Sequence, residues 1–385
     1  MSNRRGGGFK RAFDRMVGGT QKWATQQWWM LADWEVELYR LSSAPPAEIK
    51  RYLSWRAMNT AVRPHLHDSA WEALLANKWI FAVYYSRLNA PVPDVYGLLH
   101  PVSGMTVDGR PLQNREDFSN WLQQERLAAL VVKPLGGNQG RGVQLIRDIE
   151  WRGDDPTLIA VNGRTLSAED LFNELDNRDY RKLSGHLLQE WLPPHPDMVR
   201  LTGTAPHSIR VVTAVLPSGE VDIQLASIRM GFGDAMVDGW HNGGIAGPVN
   251  PETGQIGITA RKPKFGGAEV EVHPDTGARL RGTILPDWAK VREAAKSMAR
   301  LTPGLRVVGW DVVLSSLGPR VVEGNYDWDL QLVQFGTGGV MDTRVAETWK
   351  QLGGDLPDNS FGWRWRHRRR PLVGLARRAL HYLER

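Results

Sequence analysis

At 385 residues the chain is longer than one ordinary domain, and two or three structural units are expected. Its 42% apolar content supports a buried core, and the lack of any cysteine excludes a disulfide scaffold and cysteine-ligated zinc or iron–sulfur centres. The net charge of +6 belongs to the ends: six Lys/Arg against Asp14 in residues 1–22 give +5, eight Arg against Glu384 in 363–385 give +7, and the body is left near −6. No continuous apolar stretch follows the basic start, and no apolar run approaches the ~20 residues of a spanning helix. A cytoplasmic location, at most peripheral at the inner membrane surface, is therefore expected.

In chain order, residues 1–60 read as helical, with Phe9, Phe13, Met16 and Val17 on one face and a break at Pro45-Pro46. Trp23, Trp28, Trp29, Trp34 and Trp55 crowd this segment and read as core packing. A helix from Trp71 to Leu88 ends at the Pro91-Val92-Pro93 turn. A strand near Val95–Leu99, a hairpin at Val107–Arg110, a helix over Arg115–Glu125 and a strand at Leu130–Lys133 follow. Ser167 caps a helix to about Asn177, and Leu187–Trp191 reads as a buried strand. Ser208–Leu216 and Val221–Ile228 form a hairpin through Pro217–Glu220. A helix over Asp287–Arg300 and a strand pair, Val307–Leu314 with Arg320–Glu323, complete the pattern. Helices and strands mix without strict βαβ alternation, so the class is α+β.

Two stretches carry chemistry. Val131-Val132-Lys133 leads into Gly136, Gly137, Gly140 and Gly142, a loop whose backbone N–H groups are free to point at phosphate while Lys133 adds charge. No Gly-Lys-Ser/Thr ends the loop, so it is not a Walker A motif, and the spacing excludes a dinucleotide fingerprint. Downstream, Asp311 and the pair Glu323 and Asn325 stand on two apolar strands. Alternation puts Glu323 and Asn325 on one face, opposite Asp311, and this oxygen-only set suits Mg2+.

Weaker signals accompany these. Gln189, Glu190, Trp191 and Leu192 leave a strand into a Pro-rich bend and offer an edge for adenine; Asp197 is a ribose candidate. Arg210 and Arg229 are suited to neutralising a transferring phosphoryl group, and Asn242 in Asn242-Gly243-Gly244 to holding phosphate or substrate. Surface ion pairing is the alternative for the two arginines and explains Arg229 equally, and a tight turn explains Asn242 equally.

The order of a helix start at Asn77-Lys78, Lys133 and its glycine loop, Gln189-Glu190, Arg210, Asp311, Glu323 and Asn325 resembles the ATP-grasp superfamily. Asn242–Ala246, His273–Gly277, Ile284–Trp288 and Gly309-Trp310-Asp311 are similar to its sugar-transfer associated branch, related to α-L-glutamate ligases. The resemblance covers roughly residues 70–335. It implies two α+β lobes around ATP and one or two Mg2+. Lys78 and Lys133 would hold the α/β phosphates, Gly136–Gly142 the β/γ phosphates and Gln189–Leu192 the adenine; Asp311, Glu323 and Asn325 would bind the metal. The implied domains are a helical Trp-rich segment over 1–66, a catalytic domain over 67–362 with its clamping lobe at about 125–192, and a basic segment over 363–385. The implied reaction is a carboxylate–amine ligation through an acyl phosphate on a small-molecule or glycoconjugate substrate, with a kinase on the same scaffold as the alternative. D-alanine–D-alanine ligases carry an arginine two residues before the metal aspartate where this chain has Gly309, so Arg210 or Arg229 must take over any contact it makes.

From Leu372 to Leu383 an amphipathic helix is expected beside the run Trp363–Arg370. The run suits an anionic membrane surface or an acidic polymer such as RNA, which also defines a non-catalytic alternative for the chain. Docking on the acidic body explains the helix. The sequence gives no oligomeric state.

Overall fold

The computed structural model describes residues 29–136, 140–176, 185–233, 235, 238–358, 360, 362–363 and 366–367. The expectations for the basic N-terminus, for Trp23 and Trp28, and for the helix over 372–383 lie outside these residues. The chain divides into two compact units, one spanning His67–Trp328 and one combining the described residues up to Leu66 with those from Asp329 onward.

The unit His67–Trp328 contains two antiparallel sheets. The first has the order β2-β1-β7-β3-β4-β5-β6, with β1 Val95–Leu99, β2 Met105–Thr106, β3 Leu130–Pro134, β4 Gln144–Arg152, β5 Asp155–Ala160, β6 Thr165–Ser167 and β7 His186–Gln189. One face packs Leu130, Val132, Ile146 and Leu188 against Phe118, Trp121, Leu122, Leu171 and Phe172 of the helices Arg115–Glu125 and Ala168–Asp176. Ser167 caps the second of these helices, its Oγ accepting the Asp170 N–H at 3.0 Å while Asp170 accepts the Ser167 N–H, also at 3.0 Å.

The second sheet has the order β10-β9-β8-β11-β12, with β8 His207–Val215, β9 Val221–Met230, β10 Ile245–Val249, β11 Val307–Ser315 and β12 Gly318–Asn325. The helix Trp288–Arg300 buries Val291, Ala294, Ala295 and Met298 in a stripe of three- and four-residue spacing against Ile209, Val211, Ile228, Val308, Trp310 and Val312. Each fully buried Val- or Met-sized side chain contributes about 1.5–3 kcal/mol. Strand alternation then sends Ser208, Arg210, Arg229 and Asp311 to the opposite face.

Several expectations need correction. The stretch Trp71–Leu88 is not one helix, because Asn77 leaves helical geometry (φ −109°, ψ 116°) and caps a fresh helix, Lys78–Arg87. Its Oδ1 accepts the N–H groups of Trp79 at 2.9 Å and Ile80 at 3.1 Å. Strands β4, β5 and β6 were not expected. The strand β7 is not an edge, since it runs between β1 and β3.

In the other unit the described part of residues 1–60 forms only short helices, including Asp33–Leu38 and Pro46–Ile49, interrupted by Arg40 in the left-handed region (φ 56°) and by Pro45. Trp29 is buried, but Trp34 and Trp55 are 42% and 44% exposed and so are not core residues. Gln334 ties this unit together: its Oε1 accepts the Leu53 N–H at 2.9 Å, and its Nε2 donates to the Leu53 carbonyl at 2.8 Å and the Tyr39 hydroxyl at 3.1 Å. In the Arg-rich run, Trp363 and His367 turn inward; Trp363 Nε1 donates to the Asp355 carbonyl at 2.9 Å and His367 Nε2 meets the Asp355 carboxylate at 2.7 Å.

Replacing Asn77 by Ala removes both cap bonds and is expected to lower stability by about 1 kcal/mol in denaturant unfolding, whereas Asn77→Asp should cost less. An unchanged Asn77→Ala midpoint would show that the helix start is fixed by packing alone.

Candidate functional site

The polar face of the second sheet is built row by row. Asp311 on β11 lies directly between Glu323 on β12 and Arg210 on β8, and Arg229 on β9 pairs with Ser208, two residues before Arg210 on β8. Asp311 is 3% exposed and Arg210 5%. Arg210 grips Asp311 with a fork, Nε to Oδ1 and Nη2 to Oδ2 at 2.9 Å, and Arg229 Nη2 reaches the same Oδ2 at 2.8 Å. Burial alone would push the Asp311 carboxyl up. The two guanidiniums outweigh it and hold the group well below the ordinary carboxylate range.

Gly309 explains how Arg210 gets there. A Cβ at this position would stand 2.8 Å from Arg210 Cδ and 2.7 Å from Trp328 Cβ, so the missing side chain is the floor over which the arginine passes. The site thus has a guanidinium next to its aspartate from a neighbouring strand, in a chain that cannot place one at position 309 itself.

Ser208 and Asp238 were not singled out from sequence. Ser208 Oγ accepts from Arg229 Nε at 3.1 Å and Nη2 at 2.6 Å while donating to Asp238, and Asp238 Oδ2 lies 3.5 Å from Arg229 Nε. Ser208 stands two residues before Arg210, hence on the same strand face, and that alternation was the available signal. Asp238 had none, because it reaches the site from a loop. Asn325 Nδ2 lies 3.5 Å from Asp311 Oδ2.

The first sheet and the helix Lys78–Arg87 contribute the cations. Lys78 Nζ is 3.5 Å from Glu323 Oε1. Lys133, half-buried on β3, feels both groups: burial lowers its pKa from 10.5 to about 8, Glu323 opposes that shift and Lys78 adds to it. Lys133 and Gln189 point to the same face of their sheet, since Leu187 pairs with Lys133 and Gln189 with Val131. Gln189 Oε1 is a buried acceptor with no donor among the described residues. Glu190 is pinned to Asp94, donating its N–H to the Asp94 carbonyl at 2.9 Å and accepting the Asp94 N–H at 3.1 Å.

Of the glycine loop, Gly140 and Gly142 adopt positive φ (70° and 75°), Gly136 follows β3, and Gly137 lies outside the described residues. Trp191 and Leu192 carry the chain from β7 toward β11, where Pro194 bridges Ser315. Asp197 is on the helix Pro196–Thr202 with its carboxylate paired to Arg200, and Asn242 closes the short turn Trp240–Asn242. Nothing brings Asp197 to the Asp311 cluster. No three Asp, Glu or His gather as a metal cage among the described residues. The donor set around Asp311 is therefore two carboxylates and one amide, oxygen chemistry that suits Mg2+ when phosphates and water complete its shell.

A family profile described as sugar-transfer associated ATP-grasp matches residues 57–350, and the chain belongs to this family, with its α+β ATP-grasp fold. Comparison with curated proteins gives no match. Among solved structures the chain is similar to the biotin carboxylase–β,γ-ATP complex from Campylobacter jejuni (12% identity, 75% of this chain and 48% of that one, TM-score 0.40). It is also similar to the ATP-grasp ligase PsnB with a precursor variant, Mg and ADP (12%, 75% and 62%, 0.39). The third is N5-carboxyaminoimidazole ribonucleotide synthetase from Thermotoga maritima (15%, 76% and 53%, 0.39). The chain thus spans between 48% and 62% of the length of these structures.

Removing the Asp311 charge as Asp311→Asn leaves the buried Arg210 guanidinium without its carboxylate, beside the half-buried Arg229, and is expected to destabilise the unit His67–Trp328 by about 3–5 kcal/mol. Arg210→Ala should cost less, because Arg229 keeps a bond to the aspartate. Equal, small losses in thermal unfolding would show that the triad is not coupled.

Proposed function

We propose that the chain is an ATP-dependent carboxylate–amine ligase that forms an amide through an acyl phosphate and releases ADP and phosphate. The observation carrying this reading is the convergence of Lys78, Lys133 and Glu323, from a helix and two sheets, beside the buried Asp311. Lysines near one carboxylate repel each other, and that repulsion is relieved by an anion such as a polyphosphate. The family supports ATP as that polyphosphate.

Lys78 and Lys133 hold phosphate oxygens, Gly140 and Gly142 let the loop backbone approach, and the unpartnered Gln189 Oε1 accepts from the adenine amino group. Asp311, Glu323 and Asn325 would hold Mg2+, which supplies charge neutralisation on phosphate oxygens when bound. Arg229, immobilised by Ser208, Asp238 and Asp311, stabilises charge on the phosphoryl group in flight, with Arg210 behind it. A substrate carboxylate oxygen attacks the γ-phosphorus of ATP, the bond to the β–γ bridging oxygen breaks, and ADP leaves. The amine then attacks the acyl carbon, phosphate leaves, and the amine loses a proton. Positioning and electrostatics suffice, and no side-chain nucleophile takes part.

Incubation with Mg-ATP, hydroxylamine and pools of amino acids, sugar acids and other carboxylates is expected to give ADP together with a hydroxamate of one acid, read by mass spectrometry. Glu323→Gln should reduce both by about 10²-fold or more. ADP with a phosphorylated hydroxyl compound and no hydroxamate would replace the ligase by a kinase.

The pKa of Lys133 gives a second test. The phosphate-binding form is the protonated one, and it is lost as pH rises through about 8. Mg-ADP affinity is expected to be level below pH 7 and to fall above about 8, and Lys133→Arg should abolish the fall. A decline that survives Lys133→Arg would assign the titration to another group.

A further inference from the structure

The sheet face that carries Lys133 also carries an arginine the chemistry above does not use. Leu130 pairs with Ile146, and both pack on the helices. Val131 pairs with Leu145 and with Gln189, so these three lie on the opposite face, which is that of Lys133. Arg147 follows two residues after Leu145 and takes the same face. It is the extra residue of a bulge, unpaired between Ile146, which faces Ala160, and Asp148, which faces Ile159. Only at Ile149 does the strand return to the core. A bulge of this kind gives up regular pairing and re-aims one side chain. Arg147 is exposed and has no carboxylate partner among the described residues.

Arg147 lines a cavity of about 270 Å3 whose walls come from both sheets. One wall is Arg147 with Asn162 and Gly163 of the turn between β5 and β6, a turn held alongside β4 by the Val161 N–H, which donates to the Leu145 carbonyl at 3.0 Å. The other wall is Thr204, ahead of β8, with Gly233 and Ala235, which follow β9. Ser208 lies four residues from Thr204 and Arg229 four residues from Gly233, so at most about 14 Å of chain separates this wall from the phosphoryl-transfer residues. Gly163 and Gly233 have φ 81° and 59°, and a Cβ at either would meet nothing within 4 Å, so the space beside both is free. Among the described lining residues none is acidic. Asn162 Oδ1 accepts the Arg164 N–H at 3.2 Å, which leaves the amide nitrogen as a donor beside the Arg147 guanidinium and the Thr204 hydroxyl. A guanidinium with neutral donors and no carboxylate is a lining for an oxyanion. The volume is below the roughly 300–1,000 Å3 of sites for drug-sized ligands, and takes one small unit.

We propose that this cavity binds an oxyanion of one of the two substrates, a carboxylate or a phosphate distinct from the reacting group, with Arg147 as its two-pronged donor. That substrate is then a small molecule, acidic beyond its reactive centre. This deepens the reading above and rests on it. Arg147 shares a sheet face with Lys133, and the opposite wall continues the two strands that bear Ser208 and Arg229, so a molecule anchored here lies along the cleft that holds the phosphates.

The test uses the full chain saturated with Mg-ADP, which fills the nucleotide site, and titrates in galacturonic acid, glucose 1-phosphate or neutral galactose by calorimetry. Binding by an anionic probe but not by galactose is expected, weakened about 10-fold or more in Arg147→Gln while Mg-ADP affinity is unchanged. Arg147→Lys should recover only part of the loss, since an ammonium cannot make the two-pronged contact. Thr204→Trp keeps the arginine but fills the cavity from its other wall, and is expected to remove probe binding. Preference for galacturonic acid identifies a carboxylate ligand, and preference for glucose 1-phosphate a phosphate. Anionic probes that bind no better than galactose, or equally well to Arg147→Gln, overturn the proposal and leave nucleotide binding standing. Full binding in Thr204→Trp overturns it too, because the anion then sits outside the cavity. Failure of the wild type to bind Mg-ADP overturns the reading beneath it as well.

Discussion

The buried carboxylate of Asp311 is the constraint on which the rest of the site depends. A charge at that depth is tolerated only if opposite charges meet it, and two guanidiniums from two neighbouring strands do so. That requirement fixes the register of β11 against β8, demands a glycine at 309 for Arg210 to pass, and recruits Ser208 and Asp238 to hold Arg229. Trp310, next in sequence, turns the other way, is fully buried and donates its Nε1 to Thr213 Oγ1 at 2.9 Å. The three residues Gly309-Trp310-Asp311 therefore combine a passage, a core anchor and a charge, which is why the order of residue types matters there.

Much of the second sheet was legible because its strands alternate: Val307–Leu314 and the hairpin through Pro217–Glu220 carry apolar residues on the face that meets the helix Trp288–Arg300. Strands β4–β6 were not legible for the opposite reason. In β4 the residues Arg147, Asp148, Glu150 and Arg152 face away from the core, and only Gln144, Ile146 and Ile149 are buried, so the apolar signal is sparse. The periodicity over Trp71–Leu88 runs straight through Asn77, while the helix start at Asn77-Lys78, read with the resemblance, is the cap the structure shows. In the unit outside His67–Trp328, Trp frequency suggested a core. Trp29 and Trp363 are buried, yet Trp34 and Trp55 are on the surface, because a short helix has too few turns to hide every ring.

The candidate site shows the same division. Positions two apart on a strand share a face, so Glu323 with Asn325 and Ser208 with Arg210 follow from spacing. Contacts between strands distant in sequence, such as Arg229 with Asp311, require the sheet order, and loop residues such as Asp238 require the fold itself. Gly309 likewise is explained by a guanidinium lying where a side chain would be, which no local pattern reveals.

We propose that the two sheets of the unit His67–Trp328 build one phosphate and metal centre. Its most direct test is diffraction from crystals grown with Mn2+ and a non-hydrolysable ATP analogue, measured at the manganese edge. Anomalous signal is expected within ligand distance of Asp311 and Glu323, with phosphate density against Lys133. Manganese elsewhere in the chain, or nucleotide bound away from Lys133, would contradict it.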